Sequence, residues 1–213
     1  MNQAFEDTLK FSITLISILN PIGIIPIFLD LTKRNSESQI LKIAQSCSIA
    51  VVITILISLV AGQYVLEFFG ISIASFTIGG GILLSSMAFS MIQATSSNAK
   101  INDTEIEEMQ DLRELGIVPL AIPLLSGPGA ISTSIIHAKS FSTIYHWVGV
   151  VLSVILIGLL VRYVLSYSKK IGEKLGTIGQ NVMTRIMGII LLAIAIEMII
   201  GGVKEILPIL KGI

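Results

Sequence analysis

The sequence predicts an all-α membrane protein with six transmembrane helices in a 3+3 inverted repeat, the first and fourth of them discontinuous. Three observations predict it. Apolar residues make up 53% of the chain and charged residues 13%, about half the charge of a typical soluble domain. The charges gather between long apolar runs rather than along them, and a helix needs roughly 20 apolar residues to cross the hydrocarbon core. The two halves of the chain also align with one another, proline upon proline.

The apolar runs fall at Phe5–Leu31, Leu41–Gly62, Ile73–Gln93, Leu115–Ala138, Ile144–Tyr167 and Val182–Val203. They are rich in Ile, Leu and Val, which in water would favour strands. In lipid a run of this length must close its own backbone hydrogen bonds, so it forms a helix. Met1 to Glu6 carries no basic residue and no small-residue cleavage site follows the first run, which therefore reads as a retained helix rather than a signal peptide. The third run contains Gly79-Gly80-Gly81. Without dinucleotide-binding spacing or a preceding strand this is no phosphate loop, and close helix packing is the expected role. Residues 94–114 form a polar linker, with a short surface helix expected over Glu105–Leu115. The linker separates a first repeat, residues 1–93, from a second, residues 115–213.

The repeat is visible on sliding the sequence by about 107 positions, which lays Pro21 on Pro128. Thr77, Gly81, Ile82, Leu84, Met91 and Ile92 then meet identical residues at Thr184, Gly188, Ile189, Leu191, Met198 and Ile199. Abundant Ile and Leu inflate such matches; the paired Pro and Gly positions do not arise that way. Three spans per repeat turn the second copy upside down, the plan of many secondary transporters. Lys33, Arg34, Lys42, Lys100, Arg113, Lys169, Lys170, Lys174 and Arg185 follow the first, third and fifth runs, against Lys10, Lys139, Lys204 and Lys211 on the other side. That excess predicts a cytoplasmic linker and both termini outside.

Several function classes drop out. Net charge is zero with no basic face, so nucleic acid is not an expected partner. The single Cys47 forms no intrachain disulfide, and no metal-binding spacing or cofactor motif is found. No nucleophile–base set or acid pair suits an enzyme. His137 and His146 flank a short outward loop beside Tyr145 and Trp147 and read as exposed interfacial residues in an aromatic belt.

The informative residues break helices. Pro21 removes a backbone donor between Asn20, Ile22 and Gly23, and Pro26 follows. In the fourth run Pro119, Pro123 and Ser126-Gly127-Pro128-Gly129-Ala130 are more disruptive. A continuous helix there would cost about 3 kcal/mol for a proline and about 1 for each glycine. Two ordinary proline kinks are the plainer reading. Recurrence at equivalent positions favours a site, because broken backbone at membrane depth survives only inside protein or beside a cavity. Half-helix ends offer N–H groups to a carboxylate and carbonyls to an ammonium or cation, so two such breaks would cradle a small zwitterionic solute. Thr14, Ser17 and Asn20 form a stripe leading into the first break, and Ser86, Ser90 and Gln93 form another on the third run. Each either lines a path or serves interhelical packing. Glu197 lies inside the sixth run. It is either an intramembrane carboxylate able to carry a coupling proton or an interfacial residue beyond an early helix end. Asp30 reads as a helix-end or gate residue.

The segments Asn20-Pro21-Ile22-Gly23-Ile24-Ile25-Pro26-Ile27-Phe28-Leu29-Asp30-Leu31-Thr32 and Pro119-Leu120-Ala121-Ile122-Pro123-Leu124-Leu125-Ser126-Gly127-Pro128-Gly129-Ala130-Ile131 resemble the first- and fourth-helix signatures of the MarC family. The resemblance covers essentially the whole chain, with Ile24 standing where the family often has a polar residue. It implies a six-helix inverted-repeat bundle that moves glycine, alanine and other small neutral amino acids across the inner membrane by proton symport, with solute at the two break motifs. It gives Glu197 no role. Competing expectations are a channel or efflux protein for another small solute, a membrane-embedded enzyme, and a non-transporting scaffold; assembly as a homo-oligomer is open.

Overall fold

The computed structural model describes residues 2–93 and 112–210, which are helical with no strand among them. The helices are α1 (Asn2–Leu19), α2 (Ile25–Leu31), α3 (Glu37–Phe68), α4 (Ile73–Gln93), α5 (Leu112–Leu115), α6 (Pro128–Ala138), α7 (Ile144–Ser166) and α8 (Ser168–Leu210). A wide π-type helix, Gly116–Leu125, runs on from α5. Among the described residues, four helices are long and apolar enough to cross a membrane: α3, α4, α7 and Ser168–Leu207 of α8. The first and fourth apolar runs are each divided, into α1 and α2, and into the wide helix and α6. Most of the polar linker and of the helix expected over Glu105–Leu115 lies outside the described residues, as does the side chain of Asp30.

Local chemistry sets the ends. A capping box starts α3: Gln39 N–H donates to Ser36 Oγ at 3.4 Å, and Ser36 N–H donates to Gln39 Oε1 at 2.8 Å. This places the start at Glu37, ahead of the Leu41 edge drawn from hydropathy. At the far end Gly70 N–H reaches Glu67 O at 3.0 Å and Ile71 N–H reaches Leu66 O at 2.9 Å, a Schellman closure. Polar residues such as Gln63 and Glu67 therefore extend the helix beyond the apolar run. α8 begins at Ser168 rather than Val182, because a polar first segment joins the span at a bend where Gly176 takes φ 61°.

The core has two parts. The larger packs Phe11, Leu15, Phe28, Ile43, Leu120 and Val150 from α1, α2, α3, the wide helix and α7. The smaller joins α4 to α8 through Leu84, Ala88, Met91, Leu191 and Ala195. The α4–α8 approach is close and reciprocal. A Cβ on Gly81 would lie 2.8 Å from the Ala195 carbonyl oxygen and 2.7 Å from Ile199, and one on Gly188 would lie 3.0 Å from the Ala88 carbonyl oxygen and 2.9 Å from Ile92. Gly81 and Gly188, Ala88 and Ala195, and Ile92 and Ile199 are the pairs that the sequence register superposes. Large apolar side chains including Ile53, Ile57, Leu152, Leu156 and Ile189 are exposed on the outside of the bundle, the surface that lipid accepts and water does not.

Candidate functional site

The first break is made by three residues. α1 closes with Asn20 N–H on Ile16 O at 3.0 Å, and Asn20 itself turns left-handed, φ 43°, a conformation asparagine tolerates better than most residues. Pro21 cannot donate to the preceding turn. Asn20 Oδ1 instead accepts Gly23 N–H at 3.1 Å, closing the turn with a side chain. A Cβ on Gly23 would clash with the whole Asn20 amide, so glycine is required for the fold-back. Phe28 N–H on Ile24 O, 2.8 Å, then starts α2.

The second break extends over more residues than the Gly127-Pro128-Gly129 motif. Val118 (φ −122°, ψ 124°) and Ile122 (φ −126°, ψ 121°) leave helical geometry within the wide helix, and each precedes a proline, whose ring drives the residue before it into the extended region. Gly127, ahead of Pro128, is extended as well (φ −71°, ψ −177°). Ser126 N–H reaches back to Ala121 O at 2.7 Å, a wide turn that absorbs the disruption. α6 then begins with Ala130 and Ile131 N–H both on Gly127 O, at 3.0 and 3.1 Å. The Gly129 N–H stands in the first turn, where helix geometry supplies no acceptor.

The two breaks meet. One pocket is lined by Ile18, Asn20 and Gly23 from the first break, Leu125, Gly127, Gly129 and Ala130 from the second, and Leu84, Met87, Met91 and Leu191 from α4 and α8. Four of its wall pairs are related by the 107-residue register: Ile18 with Leu125, Asn20 with Gly127, Gly23 with Ala130, and Leu84 with Leu191. Its atom-free space is about 470 Å³, part of it open to the outside. A Cβ on Gly129 would lie 3.1 Å from Met198 Sδ and 3.2 Å from Ile18, so the pocket floor has no slack there.

The other sequence candidates lie elsewhere. Pro21, Ile22, Ser126 and Pro128 shape the breaks without lining the pocket; Ile22 is exposed, while Ser126 is fully buried, its hydroxyl with no hydrogen-bond partner among the described residues. Thr14, Ser17 and Ser90 bond back to the carbonyls of Lys10, Ile13 and Ser86 on their own helices. They and Ser86 are absent from the pocket wall. Glu197 is exposed on the outside of α8, although its neighbour Met198 touches the pocket floor. His146, expected at an exposed interface, is buried at 5% exposure. The walls from α4 and α8 were not picked out from sequence as lining residues, although the matched Leu84 and Leu191 were the signal for them. Among the described residues no group of three His, Cys, Asp or Glu side chains could hold a metal ion.

Comparison with known proteins agrees on identity at the family level. The family described as MarC family integral membrane protein matches residues 5–207. A UPF0056 membrane protein of Pyrococcus abyssi is 39% identical over 190 residues, 89% of this chain and 90% of the relative. The UPF0056 membrane protein YhcE of Escherichia coli is 38% identical over 199 residues, 93% of each chain. The UPF0056 membrane protein YvbG of Bacillus subtilis is 32% identical over 201 residues, 94% of this chain and 95% of the relative. No solved structure matches. With residues 5–207 matched and its two break motifs closing on one pocket, the chain belongs to the MarC family of integral membrane proteins.

Proposed function

We propose that the protein is a secondary transporter of small neutral amino acids, glycine or alanine in size, in the cytoplasmic (inner) membrane. In this reading the chain is a six-helix 3+3 inverted repeat with both termini outside. The observation that carries the reading is that both helix breaks line one pocket, walled by register-related pairs. A site at the interface of two inverted halves can face either side as the halves rock. The reciprocal Gly81–Ala195 and Gly188–Ala88 approaches supply a close crossing about which α4 and α8 can turn. The pocket is small and mostly apolar, with polar groups confined to Asn20 and the broken backbone. That chemistry suits a compact zwitterion: first-turn N–H groups of α6 toward its carboxylate and last-turn carbonyls of α1 toward its ammonium. A larger side chain would meet Met87, Met91 and Leu191.

The test is uptake of labelled glycine and alanine into liposomes carrying the purified protein, with and without a pH gradient. Saturable uptake that accumulates solute only with the gradient is expected. Flux that never saturates would indicate a channel, and no uptake of either solute would reject the reading.

A further inference from the structure

The outer ends of the two pocket-forming half-helices, α1 and α6, meet in a cluster that the pocket itself does not use. α1 contributes Asp7, Thr8 and the fully buried Phe11; the α6 end contributes His137, and the loop behind it Phe141; α7 contributes His146 and Trp147. His146 Nε2 is buried without a hydrogen bond, and Asp7 Oδ2 lies 3.4 Å away. The other ring nitrogen, Nδ1, is 2.7 Å from Thr143 Oγ1. Phe141 stacks on the imidazole at 5.9 Å between ring centres, and its edge meets Trp147 at 5.8 Å. α1 lies close against α7 here, since a Cβ on Gly149 would come 2.9 Å from Thr8 Oγ1.

From this geometry we infer that His146 and Asp7 form a proton-binding site, reached from the side of the membrane that holds the N-terminus, through which pH sets the position of α1 and hence of the pocket. Histidine is the side chain whose charge ordinarily changes between about pH 5 and 8. The neutral ring has one N–H; the cation has two, and can donate to Thr143 and Asp7 together. Taking up a proton therefore turns a loose polar contact into a charge-assisted bond that draws α1 onto α7. α1 is an unbroken helix from there to Leu19, beside the Asn20 break, so movement at Asp7 reaches the pocket rim through a rigid element.

The titratable and charged groups on the elements packed around the imidazole are Glu6, Asp7 and Lys10 on α1, His137 and Lys139 at the end of α6, Tyr64 and Glu67 at the end of α3, and Tyr145 on α7. Glu67 is held by Gln63, and His137 bonds the Thr133 carbonyl and meets the edge of Phe11. Among the described residues, Asp7 is the carboxylate that faces His146 Nε2, at 3.4 Å. The repeat supplies a contrast. The 107-residue register lays Thr143 and His146 on Ser36 and Gln39, and Asp7 on Glu114. The Ser36–Gln39 capping box at the opposite end cannot titrate, so only one end of the bundle carries the imidazole.

The protein has one tryptophan and two histidines, which makes the site directly readable. Trp147 fluorescence of the full chain in nanodiscs is titrated with acid, because an imidazolium one aromatic ring away quenches an indole more than a neutral ring does. A single transition on acidification is expected. It should vanish in His146→Gln, persist in His137→Gln, and be altered in Asp7→Asn, which removes the facing carboxylate. Histidine-labelled NMR of the unaltered chain checks the same titration without any substitution. A transition that survives in His146→Gln, or a His146 signal that does not change on acidification, overturns the site. The link to the pocket rests on the transport reading and is tested separately: solute uptake should lose its dependence on outer pH in His146→Gln. An unchanged dependence overturns the link. Absence of uptake in the parent rejects the transport reading instead, and leaves the titration to stand or fall by itself.

Discussion

At the scale of the residue, the site is made by what side chains do to backbone. Asn20 closes its break with its own amide, and Gly23 is the space that the amide occupies. Asn20→Ala should raise the KM for solute at least several-fold while the protein still reaches the membrane, because both the turn and a polar wall group are lost. Gly129→Val should abolish saturable uptake. Its branched side chain would enter space that Met198 and Ile18 already bound at 3.1 and 3.2 Å. Uptake kinetics, with protein levels measured in isolated membranes, check both; normal kinetics in both variants would remove the pocket from the transport path. Glu197 is the contrary case. Its carboxylate is exposed on the outside of α8 and away from the pocket wall. Glu197→Gln should therefore still accumulate solute against a gradient, and failure to do so at any pH would return the coupling proton to Glu197.

At the scale of the element, prolines divide helices and glycines join them. Val118, Ile122 and Gly127 are each extended ahead of a proline, and the chain compensates with wide turns such as Ser126 N–H on Ala121 O. Within α4 and α8 the glycines act oppositely, letting unbroken helices approach until a side chain meets a carbonyl. Gly81→Leu or Gly188→Leu should each cost about 1–3 kcal/mol through overpacking, read as a lower unfolding temperature in detergent. Because the two contacts are reciprocal, the two losses should be similar. Gly79 has open space where a Cβ would lie, so Gly79→Leu should leave that temperature nearly unchanged. Equal effects at Gly79 and Gly81 would contradict the crossing described here.

At the scale of the whole molecule, the basic residues predict the orientation and the two-halved plan gives it a purpose. A reporter fused after Ile213 should be active only outside the cytoplasm, and one inserted at Asn102 only inside, as alkaline phosphatase and fluorescent-protein fusions would show. The reverse result at both positions would invert the bundle, and with it the side from which His146 takes its proton. The pocket would be unaffected, since its walls come from both halves.

Length and hydropathy were enough to place the four long apolar helices α3, α4, α7 and α8, and the prolines to divide the first and fourth runs, where Asn20, Gly23, Gly127, Gly129 and Ala130 line one pocket. These are local consequences: apolar runs must bury their own backbone bonds in lipid, and proline breaks a helix wherever it lies. Helix ends beyond the apolar runs were less legible, because the Ser36 cap and the turn at Gly70 are set by hydrogen bonds that hydropathy does not register. Only the tertiary structure brought Leu84, Met87, Met91 and Leu191 to the pocket and turned Thr14, Ser17, Ser86 and Ser90 away from it. It alone buried His146 beside Asp7, residues 139 positions apart in the chain. A helix face inside a membrane carries little polar contrast to show which side meets protein and which meets lipid. That choice is made by the packing of one helix on another, and no single helix contains it.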